Sequence, residues 1–366
     1  MDALTTPLNW QRVRLGDICE IVKGQQINKI SLNNTDKYPV INGGIDFLGY
    51  TNKFNVSKNT IAISEGGTCG YVRFMTSDFW SGGHNYSLQK ISNKVNNLCL
   101  YHILKSYEKD IMKLGVGSGL KNIQLKALKD FEIPLPPLNE QIAIANILSD
   151  VDRYLYSLDA LILKKEGVKK ALSFELLSQR KRLKGFNQNW QRVRLGDICE
   201  IVKGQQINKI SLNNTDKYPV INGGIDFLGY TNKFNVSKNT IAISEGGTCG
   251  YVRFMTSDFW SGGHNYSLQK ISNKVNNLCL YHILKSYEKD IMKLGVGSGL
   301  KNIQLKALKD FEIPLPPLNE QIAIANILSD LDSEIISLKN KKRQFDNIKK
   351  ALNHDLMSAK IRVLKK

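Results

Sequence analysis

Cysteine, proline and long apolar runs are scarce in this sequence. Its six cysteines are three positions that occur twice, at 19, 69 and 99 and again at 199, 249 and 279. They form no CxxC pair and no histidine stands at metal-ligand spacing, so we predict no metal site and reduced, mostly buried thiols in a cytoplasmic protein. Apolar stretches such as residues 142–148 fall far short of the ~20 residues that cross a bilayer. MDALTTPLNW lacks the basic and apolar regions of a secretory signal, and we expect no membrane partner.

Catalytic motifs are absent from the sequence too. It contains no GxxxxGK[ST], no HExxH, no GxSxG and no Asn/Asp-Pro-Pro-aromatic sequence, which a DNA amino-methyltransferase would need to hold a flipped base. The GxGxG sequence at residues 115–119 follows a predicted helix rather than a strand and lacks the G-x-G-x-x-G spacing, which argues against a dinucleotide site. We therefore predict that the chain has no catalytic residue and no cofactor of its own.

Positive charge is in excess. Lys and Arg number 51 against 33 Asp and Glu, which gives a net charge of +18 and a pI near 9.5. Basic side chains that neutralise phosphates release the counterions condensed on DNA, so this excess favours a nucleic-acid partner. The alternative is a basic surface that is simply solvated.

The sequence is one module that occurs twice. Asn9–Asp150 recurs without a change as Asn189–Asp330, 142 residues at an offset of 180. Residues 151–186 align without gaps to 331–366 but are only similar, and the Lys-Lys-Ala-Leu runs at 169–172 and 349–352 are among the shared positions. So long a period excludes a solenoid and predicts a complete domain in each copy. Such identity is expected from a recent duplication, gene conversion or deliberate construction.

Residues 10–134 have the pattern of short strands separated by glycine-rich turns. Asn42-Gly43-Gly44, Glu65-Gly66-Gly67 and Gly82-Gly83 interrupt apolar runs, whereas residues 95–112 have helical periodicity. We predict the α+β class, with two globular, mostly-β domains that contain short helices. The glycine-rich loops carry side chains able to bond base edges or phosphates, although an ordinary solvated loop residue is the alternative at each position.

These side chains form the predicted DNA-binding set. In the first copy they are Lys23, Gln25, Gln26, Asn28, Lys29, Gly66, Gly67, Thr68, Tyr71, Arg73, His84, Asn85, Tyr86, Ser118, Lys121 and Asn122. In the second copy they are Lys203, Gln205, Gln206, Asn208, Lys209, Gly246, Gly247, Thr248, Tyr251, Arg253, His264, Asn265, Tyr266, Ser298, Lys301 and Asn302. His84 could equally be a structural hydrogen-bonding residue and Arg73 a phosphate clamp. Trp10 and Trp80 suit packing better than base stacking.

A long helix is predicted after each globular domain, with Asn139 as the N-cap of the first. Apolar residues follow at alternating spacings of four and three, the a/d pattern of a coiled coil. This helix seam consists of Ile144, Leu148, Val151, Leu155, Leu158 and Ile162, and of Ile324, Leu328, Leu331, Ile335, Leu338 and Phe345, with an interruption at Lys342. Roughly 40 residues make each helix about 60 Å long. The alternative is a core helix of one globular domain.

The two long helices are expected to pair in antiparallel fashion because the connection between them is short. Helix one should end near Ser178 and the second domain should begin near Trp190, and a link of about 11 residues reaches only about 40 Å. A parallel pair would need that link to return along most of helix one. We therefore predict an antiparallel coiled coil with pseudo-two-fold symmetry and a domain at each end.

Several motifs resemble the specificity (S) subunit of Type I restriction-modification enzymes. They are the entry WQRVRLGDICEIVKG, the turn-rich ISEGGTCGYV, and FEIPLPPLNEQIAIANILSDVD, in which an Ile-Pro-Leu-Pro-Pro-Leu sequence leads into the long helix. KKALSFELLSQRKRL, found again as KKALNHDLMSAKIRV, is also typical of the family. The resemblance covers the chain except for residues 1–8.

The resemblance implies target recognition domains at 1–137 and 187–317, each followed by a spacer helix with its linker or tail, at 138–186 and 318–366. Each domain would bind half of a bipartite DNA site. The helices would dock two methyltransferase subunits and, through them, restriction subunits. The chain itself would be non-catalytic, with S-adenosylmethionine bound by the adenine methylase and ATP and magnesium by the restriction partner. The alternatives are a free-standing bivalent DNA-binding regulator without methylase partners or a solitary structural rod, and an enzyme, which no motif supports.

The two recognition domains of the family normally differ, whereas here they are identical. Identical domains related by a two-fold axis bind identical half-sites on opposite strands. We therefore expect the target to be an interrupted palindrome: a short half-site, an unspecified spacer, and the reverse complement of the half-site.

Overall fold

A computed structural model describes residues 9–363, so the expectation about a secretory signal, which concerns the first residues, lies largely outside the described part. The chain divides into two compact units. Unit one contains the residues up to Asp159 together with those from Asn340 onwards, and unit two contains Ala160–Lys339. Within residues 9–363, no helix is both long enough and apolar enough to cross a membrane.

The first domain lies in unit one and consists of short strands and helices. They are β1 (Gln11–Arg14), α1 (Leu15–Ile18), β2 (Glu20–Lys23), a 3₁₀ turn (Lys29–Ser31), β3 (Tyr38–Ile41), β4 (Gly49–Thr51), β5 (Thr60–Ser64), β6 (Val72–Met75), β7 (Trp80–Ser81), β8 (Asn85–Gln89), α2 (Asn97–Ser106), α3 (Glu108–Lys113), β9 (Gly115–Val116), β10 (Asn122–Ile123), α4 (Leu125–Lys129) and β11 (Glu132–Leu135). The long helix α5 (Leu138–Leu177) follows.

The second domain, in unit two, repeats this order. Its elements are β12 (Gln191–Arg194), α6 (Leu195–Ile198), β13 (Glu200–Lys203), a 3₁₀ turn (Lys209–Ser211), β14 (Tyr218–Ile221), β15 (Gly229–Thr231), β16 (Thr240–Ser244), β17 (Val252–Met255), β18 (Trp260–Ser261), β19 (Asn265–Gln269), α7 (Asn277–Ser286), α8 (Glu288–Met292), β20 (Gly295–Val296), β21 (Asn302–Ile303), α9 (Leu305–Lys309) and β22 (Glu312–Leu315). The long helix α10 (Leu318–Met357) ends the series.

Small sheets give each domain its α+β character, as predicted. In the first domain the four-stranded sheet has the order β2-β8-β5-β6, and a three-stranded sheet has the order β4-β3-β7. Successive side chains of strand β5 point to opposite faces of the sheet, and both faces are buried. Ile61 and Ile63 face the main core, which also contains Leu100 of α2, whereas Ala62 packs in a second cluster with Phe79.

In the first domain, strands β1 and β11 pair antiparallel and connect the start of the domain to the start of its long helix. Val13 lies opposite Ile133, and the equivalent strands of the second domain pair Val193 with Ile313. Helix α5 begins at Leu138, so Asn139 is not the cap but the second helical residue, and its side chain accepts a hydrogen bond from the Glu140 amide at 2.9 Å.

Inside each unit, the two long-helix segments run antiparallel, as predicted. In unit one, Asp152 pairs with Lys349, and Asp159 pairs with Lys342 at 2.6 Å. In unit two, Lys165 pairs with Glu334 at 2.8 Å and Lys169 pairs with Asp332. Residue numbers rise along one helix while they fall along the other, which defines the antiparallel direction.

The helix seam is buried in part by the helices and in part by the domains. Leu155, Leu158, Ile162 and Ile335 are buried, while Val151, Leu331, Leu338 and Phe345 are partly buried. The first seam residues instead lie in the domain cores: Ile144 and Leu148 in the first, Ile324 and Leu328 in the second. The end of the other helix completes each core, since Leu356 and Met357 join the first and Leu177 joins the second. Each domain therefore needs both helices for its core.

Candidate nucleic-acid interface

The glycine-rich loops of each domain meet on one surface, and backbone hydrogen bonds connect them. In the first domain the Thr68 amide donates to the carbonyl of Gly43 at 2.7 Å, and the Glu65 amide donates to that of His84 at 2.8 Å. The Ile123 amide, at the end of the β9–β10 hairpin, donates to the carbonyl of Glu65 at 2.9 Å. Three loops and a hairpin that are distant in sequence thus form one recognition surface.

Glycine is required where these loops touch. A Cβ atom on Gly24 would overlap the carbonyl oxygen of Gly82, and one on Gly43, whose φ is +83°, would overlap that of Gly66. The side chain of Gln26 lies over Gly83 and that of Asn122 lies against Gly66. The glycines therefore let backbone approach backbone, and they place Gln26 and Asn122 on the shared surface.

A buried carboxylate supports the surface from below. Glu65 accepts a hydrogen bond from the Tyr86 hydroxyl at 3.1 Å, and the Lys23 ammonium pairs with it at 2.7 Å. Burial, and then the negative charge of Glu65, raises the pKa of Tyr86. The second domain repeats the pair between Lys203 and Glu245 at 2.7 Å. The charge of Lys23 is thus already compensated within the domain, although its side chain is exposed.

Arg73 holds a loop. Its guanidinium donates to the carbonyls of Gly44 at 2.7 Å and Ile45 at 2.5 Å, and it stacks on the rings of Phe47 and Tyr71. Burial lowers its pKa. Arg253 makes the equivalent hydrogen bonds in the second domain. Arg73 thus anchors the loop at residues 42–48, and its base or phosphate contact stays a prediction.

Several other predicted residues also have internal tasks. Asn85 and Tyr86 are only 1% and 2% exposed, so neither presents its side chain to a partner. Asn28 caps the 3₁₀ turn by accepting from the Ile30 amide at 3.1 Å. Trp10 is buried, which confirms its packing role. Trp80 is half-buried, and its indole donates to the Gln25 carbonyl at 2.9 Å.

The exposed members of the predicted set define what remains for a ligand. Lys23 and Asn28 are exposed but already have partners within the domain. The others are Gln25, Gln26, Lys29, Gly67, His84, Ser118, Lys121 and Asn122, with the same positions exposed in the second domain; Thr68 and Tyr71 are half-buried. The His84 side chain points outward while its amide donates to Asn42 Oδ1 at 3.0 Å. The surface offers amide, imidazole, hydroxyl and ammonium groups, the set that hydrogen-bonds base edges and phosphates.

Sequence reasoning missed residues that position this surface. Asn42 holds His84, and Asn55 forms a two-way hydrogen bond with the Ser81 backbone at 2.7 and 3.1 Å. Leu120, at the tip of the hairpin, is 81% exposed. The Asn42-Gly43-Gly44 sequence predicts a turn, and nothing in the local sequence indicates which distant loop an asparagine will hold.

Two of the three cysteine positions in each domain are buried. Burial raises the pKa of Cys19 and Cys99 to about 12, which keeps these thiols protonated, and Cys69 is half-buried rather than buried. Across the described range 9–363, no group of three or more His, Cys, Asp or Glu residues is placed to hold a metal ion.

A second buried carboxylate joins each domain to its helices. In unit one, Glu140 pairs with Arg362 at 2.8 Å and accepts from the Trp10 indole at 3.3 Å. In unit two, Glu320 pairs with Arg182 at 2.8 Å and accepts from Trp190 at 3.0 Å. The chain segment that follows each long helix thus returns a charged partner to the domain whose core that helix completes.

Comparisons with known proteins agree with these features. A family model for the Type I restriction modification DNA specificity domain matches the chain twice, at residues 7–165 and 187–345. A Mycoplasma genitalium protein named as a type I specificity subunit is 30% identical over 320 residues, which cover 85% of this chain and 84% of that protein. The MjaVIII specificity subunit of Methanocaldococcus jannaschii is 25% identical over 407 residues, covering 99% and 95%.

The fold has a solved relative. The crystal structure of the S subunit of a Type I restriction-modification system from M. genitalium superposes with a TM-score of 0.79 at 27% identity, covering 96% of this chain and 97% of that one. The chain therefore belongs to the family of Type I restriction-modification DNA specificity subunits, and its role is DNA recognition within such a system.

Proposed function

We propose that this protein recognises a bipartite, interrupted-palindromic DNA site and docks two adenine-methyltransferase subunits, and through them restriction subunits. In this proposal the loops of the recognition surface bind one half-site per domain. The chain supplies recognition, while S-adenosylmethionine is bound by the methylase partners and ATP with magnesium by the restriction partners.

The single observation that carries the palindrome is the identity of the two recognition surfaces. Every residue from 9 to 150 recurs from 189 to 330, and the loop contacts recur too, for example the Lys23–Glu65 and Lys203–Glu245 pairs, both 2.7 Å. Two surfaces with the same groups in the same geometry select the same base sequence. The antiparallel direction of the helix segments in each unit supports half-sites on opposite strands.

The exposed residues suggest how the contacts divide. Gln25, Gln26 and Asn122 carry amides that can bond adenine bidentately, and His84 adds an imidazole beside them. Lys121 is exposed next to Asn122 and suits a phosphate, whereas Lys23 is already paired with Glu65. We assign base discrimination to the amides, and sequence-independent attraction to Lys121 and Lys29.

Methylation mapping tests the proposal directly. Genomic DNA from a host expressing this subunit with its methylase should carry methyladenine at sites made of one short sequence, a spacer of constant length and the reverse complement of that sequence. Two unrelated half-sites would contradict it. A subunit that binds DNA but co-purifies with no methylase would favour the free-standing regulator instead.

A further inference from the structure

The divergent parts of the two long helices meet at equivalent places in the two units, but with different chemistry. In unit one, Tyr154 packs against Phe345, with ring centroids 4.6 Å apart. The offset of 180 residues makes Glu334 and Lys165 the equivalent pair in unit two, and there they form an ion pair at 2.8 Å. Unit one thus has an aromatic pair at the position where unit two has an ion pair.

A second equivalent place shows the same exchange. In unit one, Asp159 pairs with Lys342 at 2.6 Å. The equivalent residues in unit two are Lys339 and the buried Ile162, and Lys339 pairs instead with Glu166 at 2.6 Å. Lys342, which interrupts the heptad pattern of α10, therefore has a partner on α5.

We propose that Tyr154, Asp159, Ile162 and Lys165 on α5, with Glu334, Lys339, Lys342 and Phe345 on α10, form a pairing code. Each helix finds its full set of complementary partners on the helix of the other type. The code makes helix one select helix two rather than the helix one of a second copy of this chain. It acts through contacts in both units and does not depend on what the domains bind.

Pairing of like helices loses the matches. Two copies of α5 would set Asp159 against Ile162 and Glu166, which leaves facing carboxylates without the lysine that neutralises Asp159 here. The lysine that would then lie near Tyr154 offsets this only in part. Two copies of α10 would set Lys339 against Lys342 and Asp346, so that the aspartate offsets the lysine pair only in part, and would set Glu334 against Phe345. Coiled coils commonly exclude wrong partners by such like-charge and polar-against-apolar contacts.

The code is testable in the full chain because exchanging it between the helices conserves composition. One variant gives α10 the residues of α5 (Glu334→Tyr, Lys339→Asp, Lys342→Ile, Phe345→Lys). A second gives α5 the residues of α10 (Tyr154→Glu, Asp159→Lys, Ile162→Lys, Lys165→Phe). The third carries all eight substitutions, so that each matched pair re-forms in the opposite unit and the net charge is that of the natural chain.

The eight-fold variant is expected to unfold within roughly 2 °C of the natural chain, whereas each four-fold variant unfolds roughly 5 °C or more below it. The deficit of the first four-fold variant should shrink in high salt, which screens its facing carboxylates. If the eight-fold variant loses as much as the two four-fold variants together, or if the four-fold variants are as stable as the natural chain, no pairing code exists.

Discussion

The two domains of this protein are identical in sequence over the repeated residues, whereas the two long helices are identical only at their starts and differ further along. The domains keep every residue from 9 onwards and the loop contacts described above, whereas the helices keep some positions and change others. The kept helix positions make reciprocal contacts: Asp152 pairs with Lys349 as Asp332 pairs with Lys169. The changed ones, such as Tyr154 and Glu334, make contacts that differ between the units. The sequence is identical in the domains, which we propose bind the DNA half-sites, and it differs where one long helix meets the other.

The largest effect is expected at Arg182 and Arg362, which follow the two long helices at equivalent positions of the repeat. Replacing Arg362 or Arg182 by Met leaves Glu140 or Glu320, which are 2% and 1% exposed, without a cationic partner. We expect each change to lower the free energy of unfolding by about 4 kcal/mol, and by the same amount in either unit, because an uncompensated buried charge is costly. Denaturant unfolding measures it. Arg192→Met is the control, since that arginine is 77% exposed and should matter little. Clearly unequal losses would break the equivalence.

A pH titration compares His102 of the first domain with His282 of the second, each of which lies near charged residues of the long helices. Burial lowers the pKa of His102 and of His282 to about 4, against 6.5 unperturbed; Asp152 and Lys349 face the first, Lys169 and Asp332 the second. The unfolded chain takes up these protons first, so stability should fall as the pH drops from about 6.5 to 4, by up to about 3 kcal/mol per histidine. The double variant His102→Gln, His282→Gln should lose less stability over that range in thermal unfolding. An unchanged slope would refute this source.

The glycine contacts should be equally intolerant in both copies. Gly24→Ala places a methyl group into the carbonyl of Gly82, and Gly204→Ala does the same at Gly262. We expect each to cost about 2 kcal/mol, because the overlapping atoms are backbone and cannot move aside. Gly119→Ala is the matched control, since nothing lies near its Cβ position. Equal thermal stability of the Gly24 and Gly119 variants would show that the loops are not closely packed.

Changing one copy alone should break the palindrome. The Gln25 backbone is held by Ser81 and Trp80, so Gln25→Ala removes an exposed amide without releasing the loop. We expect one half-site to relax by about 1.5 kcal/mol of base discrimination while the other stays as it was. Methylation mapping would then show an asymmetric site, and adding Gln205→Ala would restore symmetry at lower specificity. Equal, uniform weakening on all sequences would remove Gln25 from base recognition.

The smallest effect is expected from phosphate contacts. Lys121→Ala together with Lys301→Ala should weaken binding on all DNA sequences alike and reduce the slope of log affinity against log salt by about one unit per lysine. Binding titrations at several salt concentrations measure this. A loss confined to particular bases would exchange the roles assigned here to lysine and glutamine.

Periodic features were predictable, and contacts between distant residues were not. The α+β class, the long helices and their antiparallel direction followed from glycine turns, the spacing of residues such as Leu155 and Leu158, and a short link. Exposure did not follow: Tyr86 stands among polar loop residues, yet its hydroxyl bonds the buried Glu65. Arg73 is a residue type that often contacts DNA, but the Gly44 carbonyl to which it donates lies 29 residues earlier in the chain.

The sequence by itself determined the duplication, the family and the helical period, because repeats, motifs and hydrophobic spacing are properties of order along the chain. Only the tertiary structure decided which predicted residues face outward. It also decided that the end of α10 completes the core of the first domain, and that Lys342, which interrupts the heptads, pairs with Asp159. Those facts depend on which atoms come within bonding distance after folding. The partners can be far apart along the chain: Glu140 and Arg362 are 222 positions apart.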